Sequence, residues 1–317
     1  MLLLGGFCFC KLHEERKNMS NTTSHPDYVG ITFVILSAFG FALKAIWVKL
    51  AYPLGVDAIS LLALRMLFAG PFFLLLLWHS NRSDLKNKPK LFWAQLVLAG
   101  GIGYYGASLF DFLGLQYISA SLERMVLMLY PTFTVLLGAW LLKETLTLRI
   151  IAILLVCYMG LLLIVLPEGW LVQDWASLAL GAGLVLLSTL CYSFYFVLSG
   201  RLLKQLPSQT FTSMVMLIST AFVAMQFSVS HSVDSLLHYS PMIYVYAFCM
   251  AILSTVLPTL LITAGMKRIG STQAAMIGSI GPVLTLVLGF FVLGERLVWL
   301  QIVGCVIVVF GVAQVAK

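Results

Sequence analysis

The chain has 317 residues, of which 61% are hydrophobic and only 10% charged, with a mean hydropathy of +1.01 and a formal net charge of +7. A soluble domain carries about 25% charged residues, so this composition excludes an ordinary water-soluble fold and makes lipid the solvent. The basic residues are scattered through short connections rather than gathered on one face, which argues against a nucleic-acid partner.

Residues 1–10, MLLLGGFCFC, are too short to cross a bilayer, lack a basic start and are followed by the charged KLHEERK, so a signal peptide is not the expected reading. The polar stretch that opens at Met19 leaves two readings for residues 1–18: part of the working protein, or an extension upstream of it. Apolar runs of about 20 residues, enough to cross about 30 Å of hydrocarbon as helix, then follow almost end to end. They lie near 30–52, 57–78, 91–113, 119–142, 149–166, 177–200, 209–229, 241–264, 270–293 and 299–316. None alternates with the period of two that a membrane β-barrel requires. Asp57 and Ser208 are expected N-caps of the second and seventh runs.

Lys and Arg set the orientation. With the N-terminus inside, the inner connections hold residues such as Lys86, Lys88, Lys90, Lys143, Arg149, Arg201, Lys204, Lys267 and Arg268, whereas the outer ones hold only Lys49 and Arg296. Positive residues stay on the cytoplasmic side, so both termini are expected there, in a multi-pass protein of the cell (inner) membrane. The NTT tract at Asn21 is then inside, where it is inert to glycosylation.

Residues 114–165 recur at 265–316 with a constant offset of 151 and no gap. Gly114, Pro131, Gly138, Glu144 and Gly160 meet identical residues at Gly265, Pro282, Gly289, Glu295 and Gly311. Apolar composition alone does not align prolines, glutamates and glycines, so the chain is an internal duplication. Five spans per copy is an odd number, which turns the second copy upside down in the membrane. The fold expected is an all-α integral membrane protein of ten transmembrane helices in two inverted five-helix repeats. Its parts are a cytoplasmic segment 1–29, a first repeat at 30–167 and a second at 173–317.

The copies ISASLERMVLMLYPTFTVLLGAWLLKETLT and IGSTQAAMIGSIGPVLTLVLGFFVLGERLV resemble the paired hallmark of EamA-type transporters of the drug/metabolite transporter superfamily. The resemblance covers about residues 30–316. It implies a central cavity between the halves and export or exchange of small metabolites such as amino acids, without choosing one.

Charges inside lipid cost about 2.5–3.5 kcal/mol each at a helix centre and need a partner or a purpose. Five stand within spans: Lys44, Arg65, Asp111, Glu123 and Arg124. The topology gathers all five in the outer half of the membrane, and the second copy carries Tyr195, Met216, Ile262, Ala274 and Ala275 at the equivalent positions. Two readings stand side by side. One is a neutralising network that closes the outer side or staples helices; the other is a cavity site whose surplus positive charge receives a substrate carboxylate or phosphate.

Tyr104, Tyr105, Tyr192, Tyr195, Trp47 and Gln116 are candidates to line a pocket, with Tyr105 and Tyr195 the two chosen as site residues. Pro131, Pro258 and Pro282 are expected helix kinks, alongside Pro71, and Gly100, Gly101, Gly103 and Gly106 points of close helix approach. The uncharged fifth and tenth spans are expected to face lipid, or a second copy through Gly160, Gly304 and Gly311. No residue pattern calls for a metal or cofactor: GMKRIGST at Gly265–Thr272 places Ser271 where a phosphate-binding loop needs lysine, and no histidine lies deep in a span. The function expected is secondary transport of a small polar or amphipathic metabolite, an amino acid or related organic anion, by alternating access. The alternative is a membrane enzyme acting on a lipid-linked substrate with Asp111 and Glu123 as acid and base.

Overall fold

The computed structural model describes residues 27–80, 88–142, 147–169, 175–278, 280–294 and 298–315. The expectations for residues 1–26, for the Met19 start and for Glu144 and Glu295 lie outside these. Among the described residues the regular structure is entirely helical. The helices are α1 (Tyr28–Ala51), α2 (Ala58–His79), α3 (Lys90–Gly114), α4 (Ala120–Leu127), α5 (Tyr130–Leu142), α6 (Leu148–Gly169), α7 (Trp175–Leu202), α8 (Ser208–Ser230), α9 (Pro241–Ile269), α10 (Ser271–Gly278), α11 (Gly281–Leu288) and α12 (Trp299–Val315).

Among the described residues, seven runs are long and apolar enough to cross a membrane: α1 with its 3₁₀ extension to Leu54, α2, α3, α7, α8, α9 and Ser271–Val292. The spans expected at 119–142, 149–166 and 299–316 coincide with α4 plus α5, α6 and α12, which do not reach that measure there. Large apolar side chains such as Leu67, Leu74, Val229 and Phe291 point outward. Trp78, Trp140, Trp175 and Trp299 stand exposed near helix ends, as residues of a membrane interface do.

The offset of 151 governs the packing as well. Helix α1 packs on α9 as α7 packs on α3, and α11 packs on α1 as α5 packs on α7. Helices α2 and α8 pair with each other, as do α6 and α12. The agreement extends to atoms: Ser37 Oγ donates to Pro258 O at 2.8 Å, and its equivalent Ser188 Oγ donates to Ala107 O at 2.7 Å. A Cβ on Gly114 would lie 3.0 Å from Gly181 O and 2.5 Å from Val185 Cγ2; one on Gly265 would lie 3.1 Å from Gly30 O and 2.6 Å from Val34 Cγ2. These glycines let two helix backbones touch. Gly114→Ala and Gly265→Ala are therefore each expected to destabilise by about 1–3 kcal/mol, and by similar amounts, in thermal denaturation of the purified protein.

The helix interruptions are matched too. Wide π-helical turns occur at Ala99–Gly106 in α3 and at Ile252–Val256 in α9. The break between α4 and α5 recurs between α10 and α11, so Pro131 and Pro282 each stand second in a new helix rather than at a kink within one. Proline suits that place, because its missing N–H has no partner there in any case. Pro258 follows the π turns of α9, and Pro71 lies inside α2. Gly100 abuts Ile218, Gly101 abuts Phe222 and Gly103 abuts Tyr195, which accounts for the glycines of α3 as packing.

Asp57 caps α2 as expected, accepting from Ile59 N at 2.9 Å and Ser60 N at 3.0 Å. The Tyr239 hydroxyl also donates to it at 3.2 Å, and His231 Nε2 lies 3.6 Å away. Burial alone would raise its pKa, but the Ser60 hydrogen bonds, the nearby His231 and the Tyr239 hydroxyl together hold it below the usual aspartate value. Its stabilising contribution is complete above the unfolded value of about 3.9 and is lost as pH falls through the lower folded value. Asp57→Ala is expected to cost about 1 kcal/mol at neutral pH, read from thermal denaturation, and less at pH 3. Ser208 is instead the first residue of α8, and Pro207 precedes it without a side-chain cap.

Candidate functional site

The five charges belong to four helices: Lys44 to α1, Arg65 to α2, Asp111 to α3, and Glu123 with Arg124 to α4. Packing brings them together deep in the protein. Arg65 and Asp111 are each 1% exposed and Glu123 is fully buried. Lys44 Nζ forms a short ion pair with Asp111 Oδ2 and lies 3.4 Å from Glu123 Oε1. Arg124 Nε lies 3.2 Å from Glu123 Oε2, and its Nη2 donates to Phe41 O. The two carboxylates and two of the cations thus form one chain across α3, α1 and α4.

Arg65 stands apart from it. Among the described residues it makes no ion pair with a carboxylate. Its Nη2 donates to Ser108 Oγ at 3.1 Å, the guanidinium carbon sits 4.8 Å over the Phe112 ring, and Nε is buried without a partner. A buried charge with so few partners is costly, and it is the group in this cluster most open to an added anion.

Arg65, Lys44, Asp111 and Arg124 line a cavity of ≈ 90 Å³. That is smaller than the roughly 150 Å³ cavity that admits benzene, so a molecule of that size enters only if the surrounding helices part further. Its other walls are polar at Ser37, Ser108 and Ser188 and aromatic at Phe41, Tyr104, Tyr130, Tyr192 and Phe196. Tyr192 holds the aromatic wall together, with its centroid 5.4 Å from Tyr130, 4.9 Å from Phe196 and 6.4 Å from Phe41.

Both helix breaks open onto this space, through Leu127 and Tyr130 on one side and Gly278 and Gly281 on the other. Carbonyls freed at a break need other donors in a membrane. Thr189 Oγ1 donates to Val126 O at 3.4 Å, Ser193 Oγ to Tyr130 O at 3.0 Å, and the Tyr130 hydroxyl to Ala275 O at 2.7 Å.

Five of the seven expected site residues therefore converge. The two tyrosines do not line the cavity. Tyr105 stacks on Phe222 and donates to Gln226 Oε1 at 2.9 Å, while Tyr195 is packed among Tyr104, Phe196 and Phe211 with no side-chain surface on the cavity. Trp47 packs on Tyr246, and Gln116 is exposed at the end of α3. Tyr104 and Tyr192 do face the cavity, joined by Tyr130, whose place beside Pro131 at the repeated break was the available signal.

The model of the EamA-like transporter family matches this chain twice, over residues 28–166 and 179–316. The chain belongs to the EamA-like transporter family. Its relatives include the Bacillus subtilis (strain 168) "Uncharacterized transporter YcbK", 32% identical over 281 residues that cover 87% of this chain and 89% of that protein. "Uncharacterized transporter YyaM" of the same organism is 26% identical over 220 residues, covering 68% and 70% of the two chains. A solved crystal structure superposes with a TM-score of 0.68 at 20% identity, over 93% of this chain and 98% of its own, which speaks to the fold alone. This EamA-like protein is a multi-pass membrane transporter.

Proposed function

We propose that the protein is a secondary transporter, an exporter or exchanger in the cell membrane, for a small polar or amphipathic metabolite such as an amino acid or related organic anion. The observation that carries the reading is Arg65, a buried guanidinium at the wall of an interhelical cavity with no carboxylate partner among the described residues. The cavity lies where the two sequence copies meet, lined by α1, α2, α3, α4 and α5 of the first and α7, α9, α10 and α11 of the second. Broken helices around a central cavity suit alternating access between inverted repeats.

Ten crossings with both termini inside agree with the contacts between helix ends. Lys88 Nζ donates to Gln205 O, Lys267 Nζ to Leu206 O and Arg149 Nη2 to Gln314 O, each joining ends that this topology puts on the inner side. Asp27, lowered in pKa by the Gly30 N–H and by Arg268, joins the start of α1 to the end of α9 on that side as well. The Asp57–Tyr239 bond joins two outer ends. On this topology the Lys44, Asp111, Glu123 and Arg124 chain caps the outer end of the cavity, so the same residues serve as outer closure and as a wall of the solute site.

A second copy, where one binds, meets the exposed faces of α6 and α12 at Leu155, Ile302, Val306 and Phe310. The glycines Gly160, Gly304 and Gly311 are buried within the chain, on helices that pack against each other. Counterflow in proteoliposomes tests the transport reading: trans-accumulated solute should accelerate uptake of the labelled one, and failure across a broad panel of carboxylates and amino acids would refute it.

A further inference from the structure

Charge balance in the cavity goes further than the transport reading and, resting on it, selects a class of solute. Among the described residues Lys44, Arg65 and Arg124 face two carboxyl groups, Asp111 and Glu123, which leaves at least one positive charge in surplus. The geometry assigns that surplus to Arg65, since Lys44 bridges both carboxylates and Arg124 is held by Glu123 and the Phe41 carbonyl. Arg65 keeps an unpartnered Nε and faces a cavity whose far walls are the rings of Phe41, Tyr130, Tyr192 and Phe196.

We infer that the solute is an organic monoanion with a short apolar tail and no ammonium group, its carboxylate on Arg65 and its tail against the aromatic wall. A monoanion offsets positive charge in the buried cluster, whereas a zwitterionic amino acid leaves the surplus in place. An ammonium also finds no carboxylate of its own. Asp111 has one oxygen without a hydrogen-bond partner, but Lys44 already neutralises that group, and its charge repels a second cation. The free oxygen of Asp111 suits a neutral donor such as a hydroxyl, so 2-hydroxy acids with branched or aromatic tails are the solutes of choice.

The test compares probes that share a tail and differ in charge, on the purified full chain in nanodiscs at pH 7. One set is 2-hydroxyisocaproate, leucine and isoamylamine; the other is phenyllactate, phenylalanine and phenethylamine. Thermal-shift titration is expected to give the hydroxy acid of at least one set an affinity roughly tenfold or more above that of its amino acid, the worth of one charge-assisted hydrogen bond, and no shift with either amine. Arg65→Gln should erase the anion's shift. Ser108→Asp, which sets a fixed carboxylate beside Arg65, should erase it as well, so the inference stays testable should one variant fail to fold. An amino acid or amine that binds as well as the hydroxy acid, an anion shift unchanged in a folded variant, or no shift with any of the six overturns the inference. The transport reading falls only if counterflow also fails across its wider panel, which keeps the two failures distinct.

Discussion

Replacing Arg65 with alanine is expected to lower solute counterflow roughly a hundredfold or more while the protein still inserts, folds and melts no earlier than the parent. The transport loss follows from the group removed: a guanidinium offers a carboxylate two parallel charge-assisted bonds, each worth about 1.5–3 kcal/mol, and each 1.4 kcal/mol is a factor of ten. The unchanged stability follows from the same isolation. Arg65 makes no ion pair among the described residues, so its removal strands no carboxylate and relieves a buried charge. Arg65→Lys is expected to fall between, since lysine keeps the charge and loses the fork. Counterflow and melting temperature measured on the same preparations decide it, and transport retained in Arg65→Ala would remove Arg65 from the site.

Lys44→Met is expected to act in the opposite sense, on stability first. Lys44 is the cation shared by Asp111 and Glu123, and its loss leaves two buried carboxylates with Arg124 as their remaining contact in the chain. Breaking a buried pair from one side costs about 3–5 kcal/mol. Adding Asp111→Asn should recover much of that loss, because the double variant removes one charge of each sign, and the single effects should be strongly non-additive. Melting temperatures of the four proteins measure the coupling; additive losses would show that Lys44 and Asp111 do not act as a pair.

The sequence singled out five charges at similar distances from their helix ends, and packing gathers them into one cluster, as expected when each helix advances by about 1.5 Å per residue whatever its rotation. Rotation is where it failed. Tyr104 faces the cavity and Tyr105 faces Phe222, although they are neighbours, and both lie in the π-helical stretch Ala99–Gly106, where a 3.6-residue projection loses its phase. Tyr195, which occupies the place equivalent to Lys44, is turned into the aromatic packing around Gly103. The glycines of α6 and α12 were readable as contact points but not as contacts within one chain, since nothing local to either helix names its partner.

By itself the sequence determined the solvent, the helical class, the 151-residue duplication and the breaking of its symmetry at Glu123 and Arg124, where the second copy has Ala274 and Ala275. All of these are properties of composition, period and alignment. The tertiary structure alone decided which cation is left over, that Tyr130 joins the cavity wall, and that Gly114 and Gly265 meet Gly181 and Gly30 in the same way. The reason is physical: a helix in lipid is apolar on every face, so no stripe of polarity tells it which way to turn. Its rotation is settled by close packing against helices far away in the chain, and with it which of the five charges stays outside the ion-pair chain.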